Sequence, residues 1–126
     1  MGLFKKSSLE NKLVSLSDGR IVLIQRDDNR KLFGLTVSKN PVSISIFRKE
    51  VTILDTELTQ EEYDQLLLNY KYKISKDAAE TCWNRLQNDR GAESIKAYNL
   101  AIKKQKELYK ELLTHRLRED RFELNV

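Results

Sequence analysis

The stretch KLVSLSDGRIVLIQR, residues 12–26, decides the architecture. Residues 12–17 and 20–26 flank Asp18-Gly19, a pair that tolerates the positive φ angles of a type I′ turn, so a two-residue β-hairpin is predicted here. A polar turn, residues 26–30, then leads into a strand over residues 31–38. Asn40-Pro41 breaks that strand before Val42 to Phe47, and Val51 to Leu54 supplies a shorter fifth candidate. Connections this short imply antiparallel neighbours, because a parallel return needs a crossover of a dozen or more residues. The N-terminal half therefore reads as a meander of four to five strands.

Alternation sorts the faces of that sheet. Phe33, Leu35 and Val37 share a side, as do Val42, Ile44 and Ile46, while Gly34, Thr36, Ser38, Ser43 and Ser45 form the opposite, small polar side. The apolar side is expected to pack on helices. The polar side is expected to be solvated, since it lacks the interleaved aromatics that stack unpaired bases. Ile21 to Ile24 is apolar on both sides, which suits a central strand covered more fully than its neighbours.

After Glu57 the period becomes helical. Thr59-Gln60-Glu61-Glu62 is a capping box, with Leu58 and Tyr63 placed as a hydrophobic staple. Tyr63, Leu66, Leu67 and Tyr70 form the stripe of a first helix. Ser75 or Asp77 is read as the cap of a second, whose buried face is Ala79, Cys82, Trp83 and Leu86, ending near Arg90-Gly91. The two short helices occupy residues 59–90. Residues 92–121 contain no Gly or Pro and read as one long C-terminal helix, with Ile95, Tyr98, Ala101, Ile102, Leu108, Tyr109, Leu112 and Leu113 inside an arc of about 140° at 100° per residue. Such a helix spans about 42 Å, against a diameter of roughly 36 Å for a compact domain of this size. The expected fold is α+β: an N-terminal antiparallel meander followed by three helices, the last one long, in a single domain over residues 1–126.

Composition narrows the function classes. The chain has 126 residues, 40% of them hydrophobic and 33% charged, with a net charge of +4. Residues 1–56 hold ten Lys and Arg against six Asp and Glu, residues 57–90 five against seven, and residues 91–126 eight against six. The basic surplus thus sits on the sheet half and the last helix, more diffusely than in a dedicated polyanion-binding domain. One cysteine, Cys82, excludes an internal disulfide. No apolar run reaches membrane-spanning length, and residues 1–8 lack the apolar core of a secretory signal, so a cytoplasmic location without membrane partners is expected. The opening Met1-Gly2 is not followed by the hydroxyl residue of a myristoylation signal, because position 6 is Lys6.

The chemistry-bearing residues are few. Cys82 shares a stripe with Trp83 and reads as core, and His115 is the only imidazole, so a structural zinc site has too few ligands. Asp27-Asp28 reads as a solvent-facing turn pair, and Glu61, Glu62 and Asp64 as charges complementing the helix dipole. No phosphate-binding Gly-rich loop, serine elbow or HExxH pair occurs. No cofactor, metal or catalytic group is therefore assigned, and the chain is not expected to be an enzyme. It reads as a protein–protein interaction module, an adaptor, inhibitor or assembly component, that meets another protein or a second copy of itself through Leu108, Tyr109, Leu112, Leu113 and Leu117. Phe122, Leu124 and Val126 are available as a tail for strand addition. The alternative is a nucleic-acid-binding accessory protein contacting phosphates through Lys5, Lys6, Arg26, Arg30, Lys31, Lys96, Lys103, Lys106 and Lys110.

Overall fold

A computed structural model describes residues 8–115, 121, 122 and 124. Five strands, β1 (Leu13–Ser15), β2 (Ile21–Asp27), β3 (Lys31–Thr36), β4 (Ser43–Phe47) and β5 (Thr52–Ile53), form one antiparallel sheet in the order β4-β3-β2-β1-β5. Two helices follow, α1 (Gln60–Asn88) and α2 (Ala92–Thr114). The fold is α+β, with two α-helices among the described residues in place of the three expected.

The order of strands requires curvature. β4 and β5 are the two edges, yet only a 3-10 turn over Arg48–Glu50 and one further residue join them. That link reaches about 13 Å at the rise of a 3-10 turn, whereas four strand spacings in a flat sheet come to about 19 Å. The sheet must curl. Its concave side is filled by Val14, Val22, Ile24 and Leu32 with Leu9, and Leu16, Ile44, Ile46 and Val51 pack around them. On the convex side Leu13, Leu23 and Val37 pack against Leu66 of α1 and Leu124 of the C-terminal segment. β2 is buried on both sides, as its four-residue apolar run predicts.

The hairpin between β1 and β2 differs from the two-residue turn expected. Gly19 N–H donates to Leu16 O at 3.0 Å, Leu16 N–H donates to Arg20 O at 2.9 Å, and Gly19 has φ +91° while Asp18 is not in the left-handed region. The loop is three residues long and needs a positive φ only at its last position, which Gly19 supplies. The Asp18 carboxylate instead accepts from Arg20 N–H at 3.0 Å. Further along, β2 carries a bulge between Ile24 and Arg26 opposite Gly34. A Cβ on Gly34 would overlap the Leu23 carbonyl oxygen and lie 2.9 Å from Val22 Cγ1, so the close approach of β2 and β3 excludes any side chain there.

The register also corrects the reading of the faces. Gly34 pairs with Ile44 and Phe33 with Ser45, and directly opposed residues share a side. Ile44 and Ile46 therefore point into the concave core, while Leu35 and Val37 belong to the convex side. No single apolar face exists: the two apolar sets back onto opposite layers.

α1 is one helix of 29 residues, where two short ones were expected. Its start is the predicted capping box: Glu62 N–H donates to Thr59 Oγ1 at 3.1 Å and Thr59 N–H to Glu62 Oε1 at 2.9 Å. Ser75 does not cap a new helix. Its hydroxyl donates to Tyr72 O at 2.8 Å, and Thr81 does the same to Asp77 O at 3.0 Å, a back-bonding mode that keeps hydroxyl residues inside a helix. At the other end, Asp89 rather than Gly91 makes the turn. The Asp89 carboxylate accepts from Gly91 N–H at 3.0 Å and from the Ser94 hydroxyl at 3.1 Å, and Gly91, with φ −63°, is the N-cap of α2. Three residues thus join two antiparallel helices. α1, about 42 Å long, is the longer element; α2, at 23 residues and about 33 Å, ends at Thr114.

Candidate interaction surfaces

Contacts from the helices to the sheet half run along α1 from the capping box to Lys73, whose ammonium donates to Pro41 O at 3.1 Å. Beyond Lys73, α1 continues for four turns packed on α2. Small residues line that contact, with Ser75, Ala79 and Ser94 buried, while Leu68, Leu108 and Leu112 close the base of the hairpin. Two helices cover each other on one side only.

One flank of the hairpin is consequently left open. Tyr72 stacks on Tyr109 with centroids 5.8 Å apart, and Trp83 on Tyr98 at 5.5 Å. In each helix the paired residues are eleven apart, three turns, so both ring pairs lie on the same flank. Ile95 and Ile102 continue this line on α2 at spacings of three and four from Tyr98, and Leu113 follows Tyr109 by four. This is a second apolar row beside the buried one, interrupted at Gln105, and Ile95, Tyr109 and Leu113 on it are exposed, as is Trp83 on α1. Trp83 was expected in the core and is 51% exposed. It lies about 40° round α1 from Ala79, outside the arc that α2 covers. Cys82 and Leu86 are half-buried.

The residues predicted to bind a partner divide accordingly. Leu108 and Leu112 are buried against α1 and belong to the molecule's own core; Tyr109 and Leu113 face outward; Leu117 lies outside the described residues. The C-terminal segment is not free for strand addition, since Leu124 is buried and Phe122 packs beside it, with Val126 outside the described residues. Arg121 Nε donates to Glu62 Oε2 at 2.7 Å and its guanidinium also bonds Glu62 Oε1, so the capping-box carboxylate holds the returning chain. The Arg121 bonds hold the Glu62 carboxyl below its usual range, outweighing the opposing effect of burial, with the Thr59 N–H bond adding to them. Asn69 Nδ2 donates to Leu124 O at 2.8 Å.

The predicted basic residues within the described part fall into two separate sets, one on α2 and one on the sheet. Lys96 and Lys103 line a shallow groove on α2 with Ile95, Asn99 and Leu100, and Lys106 and Lys110 are exposed on the same helix. Lys5 and Lys6 lie outside the described residues. Arg26, Arg30 and Lys31 gather at the far end of the sheet. There the register places Arg26, Lys31, Phe33, Ser43, Ser45 and Phe47 on the convex side, beyond the part that α1 covers. The Arg26 guanidinium sits 5.3 Å from the Phe33 ring centre, and the Lys31 ammonium 5.8 Å from that of Phe47. The polar face that seemed to lack aromatics has two. Phe47 alternates with Ser43 and Ser45 and was legible on this side, whereas alternation assigned Phe33 to the buried side and only the strand register shows that it stands beside Ser45.

Next to this corner an open groove is lined by Asn29, Arg30, Phe47, Arg48, Lys49 and Val51. Its floor is a buried ion pair. Asp27, with 3% of its side chain exposed, pairs with Arg48 and accepts from Leu9 N–H and Asn29 N–H, each at 2.8 Å, while Arg48 Nε donates to Asn29 O at 2.7 Å. Burial pushes the Asp27 carboxyl up, but the hydrogen bonds from Arg48, Leu9 and Asn29 outweigh it and the net shift is downward. Asp27 is therefore a structural clamp, not the solvent-facing turn residue expected from its neighbour Asp28.

Cys82 lies near the tip of the hairpin and His115 caps α2 at its base, and no group of three His, Cys, Asp or Glu able to hold a metal occurs among the described residues. None of the described helices is long and apolar enough to cross a membrane. No protein-family model, curated protein or solved structure matches this chain.

Proposed function

We propose that this chain is a non-enzymatic protein–protein interaction module whose contact surface is the open flank of the helical hairpin. The observation that carries the reading is the second apolar row on α2, Ile95, Tyr98, Ile102, Tyr109 and Leu113, in which Ile95, Tyr109 and Leu113 stay exposed, as does Trp83 beside Tyr98. Isolated exposed apolar residues need no explanation, but a row along one flank of a helix in a hairpin is a surface that a partner helix can fill. The partner is another protein presenting an amphipathic helix, or a second copy of the hairpin, and the row replaces Leu108 and Leu112 in the contact expected from the sequence.

Because Ile95 and Leu113 are exposed, the double variant Ile95→Asp, Leu113→Asp should keep the circular dichroism spectrum of the parent. Sedimentation equilibrium and capture from host extract should show self-association, or a retained protein, for the parent and its loss in the variant. Trp83 should shift its emission to the blue on association. A parent that stays monomeric at high concentration and retains nothing that the variant fails to retain would remove the reading.

A further inference from the structure

We propose that the uncovered corner of the sheet binds single-stranded nucleic acid, with bases stacking at Phe47 and Phe33 and phosphates held by Arg30, Lys31 and Lys49. This surface is distinct from the hairpin flank. Three observations meet there. First, Phe47 is exposed and Phe33 half-exposed on the same convex side, on adjacent strands, with Phe47 two residues along from the Ser45 that faces Phe33. Rings in that diagonal relation on neighbouring strands are within reach of successive groups of one extended chain.

Second, the charge is placed for a polyanion. Arg26 is held by Asp28 at 3.0 Å and Arg48 by Asp27, which fixes the turn and the 3-10 segment. Arg30 and Lys49, on the walls of the groove beside Phe47, and Lys31, whose ammonium lies over the Phe47 ring, make no ion pair among the described residues. The clamp thus positions three cations that are not neutralised by it. Third, the surface residues between the two rings, Ser43 and Ser45, are small and exposed and do not block an incoming strand, and the side chains over the rings, Arg26 and Lys31, are cations.

An acidic peptide would satisfy the cations but not the rings. Stacking on aromatic side chains combined with phosphate contact is the mode by which single strands are bound without sequence readout, and a duplex cannot use it because its bases already stack on each other. Of the α2 lysines, predicted to act with the sheet cations, Lys96 and Lys103 line a separate groove with no aromatic ring, Lys106 and Lys110 lie on the same helix, and none has a part in this site.

The test is fluorescence anisotropy with labelled 12-nucleotide oligothymidylate and oligouridylate, the matching duplex, and polyglutamate as competitor. The single strands should bind at low salt, with a log–log salt slope of about −2 for three phosphates at roughly −0.7 each. Phe47→Leu should weaken binding about tenfold, within the range found for one lost stacking partner, and Phe47→Tyr should retain it. Arg30→Glu with Lys49→Glu should abolish it. Phe47 is exposed, so these variants keep the fold, and amide shifts at Ser43 and Ser45 on titration give a second readout. Failure to bind at the lowest salt, duplex or polyglutamate binding as tight as the single strand, an unchanged affinity for Phe47→Leu, or an equal loss in Lys103→Glu, Lys106→Glu would each overturn the proposal.

Discussion

Trp83 shows how far one side chain's fate depends on its neighbours. Its spacing from Ala79, Cys82 and Leu86 puts it on an apolar stripe, and a buried indole there would cost about 3–5 kcal/mol to remove. Exposed, it keeps only its contact with Tyr98, so Trp83→Ala is expected to change stability by about 1 kcal/mol or less, measured by urea denaturation. The two buried carboxylates behave differently. Asp27 and Glu62 both have native pKa values below those of the unfolded chain. A carboxyl lowered on folding contributes stability that is full above its unfolded value of about 4 and is lost as the pH falls through the native value. Unfolding midpoints should therefore hold from pH 7 to about 5 and fall below about 4. Glu62→Gln, which removes one of the two groups, should be less stable at pH 7 and show a shallower acid loss.

The hairpin is one element with two regimes. Up to Lys73, α1 is anchored by the sheet through Tyr63, Leu66 and Lys73, and at that level α2 is held by Leu108 and Leu112. From residue 74 to 104 each helix packs on the other, across Ser75, Ala79 and Ser94 with the Trp83–Tyr98 pair at the flank. Local opening free energy follows the density of buried apolar contact. Amide hydrogen exchange should consequently be slowest in residues 63–72 and 108–112, and faster by an order of magnitude or more in residues 78–100. Uniform protection along both helices would mean that the tip is already covered by a second copy.

Across the whole molecule, the returning C-terminal segment joins the helices to the sheet. Leu124 fills the convex core beside Leu13, Leu23 and Leu66, its carbonyl accepts from Asn69, and Arg121 neutralises Glu62. A chain ending at His115 would leave a core cavity, a buried amide donor without its acceptor and a largely buried carboxylate without its partner. That truncation should destabilise by about 3–5 kcal/mol, read from the urea midpoint, although every described strand and helix is kept.

Local signals were sufficient wherever the determining contacts are close in sequence. The Thr59 capping box, the antiparallel pairing forced by short connections and the doubly buried run Ile21 to Ile24 were all legible, because each depends on residues a few positions apart. The helices were legible as helices but not in their lengths: Ser75 signals a cap as readily as it bonds its own helix, and only packing against α2 selects the continuous form. The interaction surfaces were the least legible. Which of two apolar stripes on α2 is buried, and whether Phe33 faces the core or Ser45, depends on helix rotation and strand register. Both are set by contacts between segments distant in sequence, such as Leu68 with Leu108 and Phe33 with Ser45. Sequence periodicity determined that these faces are apolar; the tertiary structure decided which are covered, because two helices and one curled sheet shield only part of the apolar surface their patterns create.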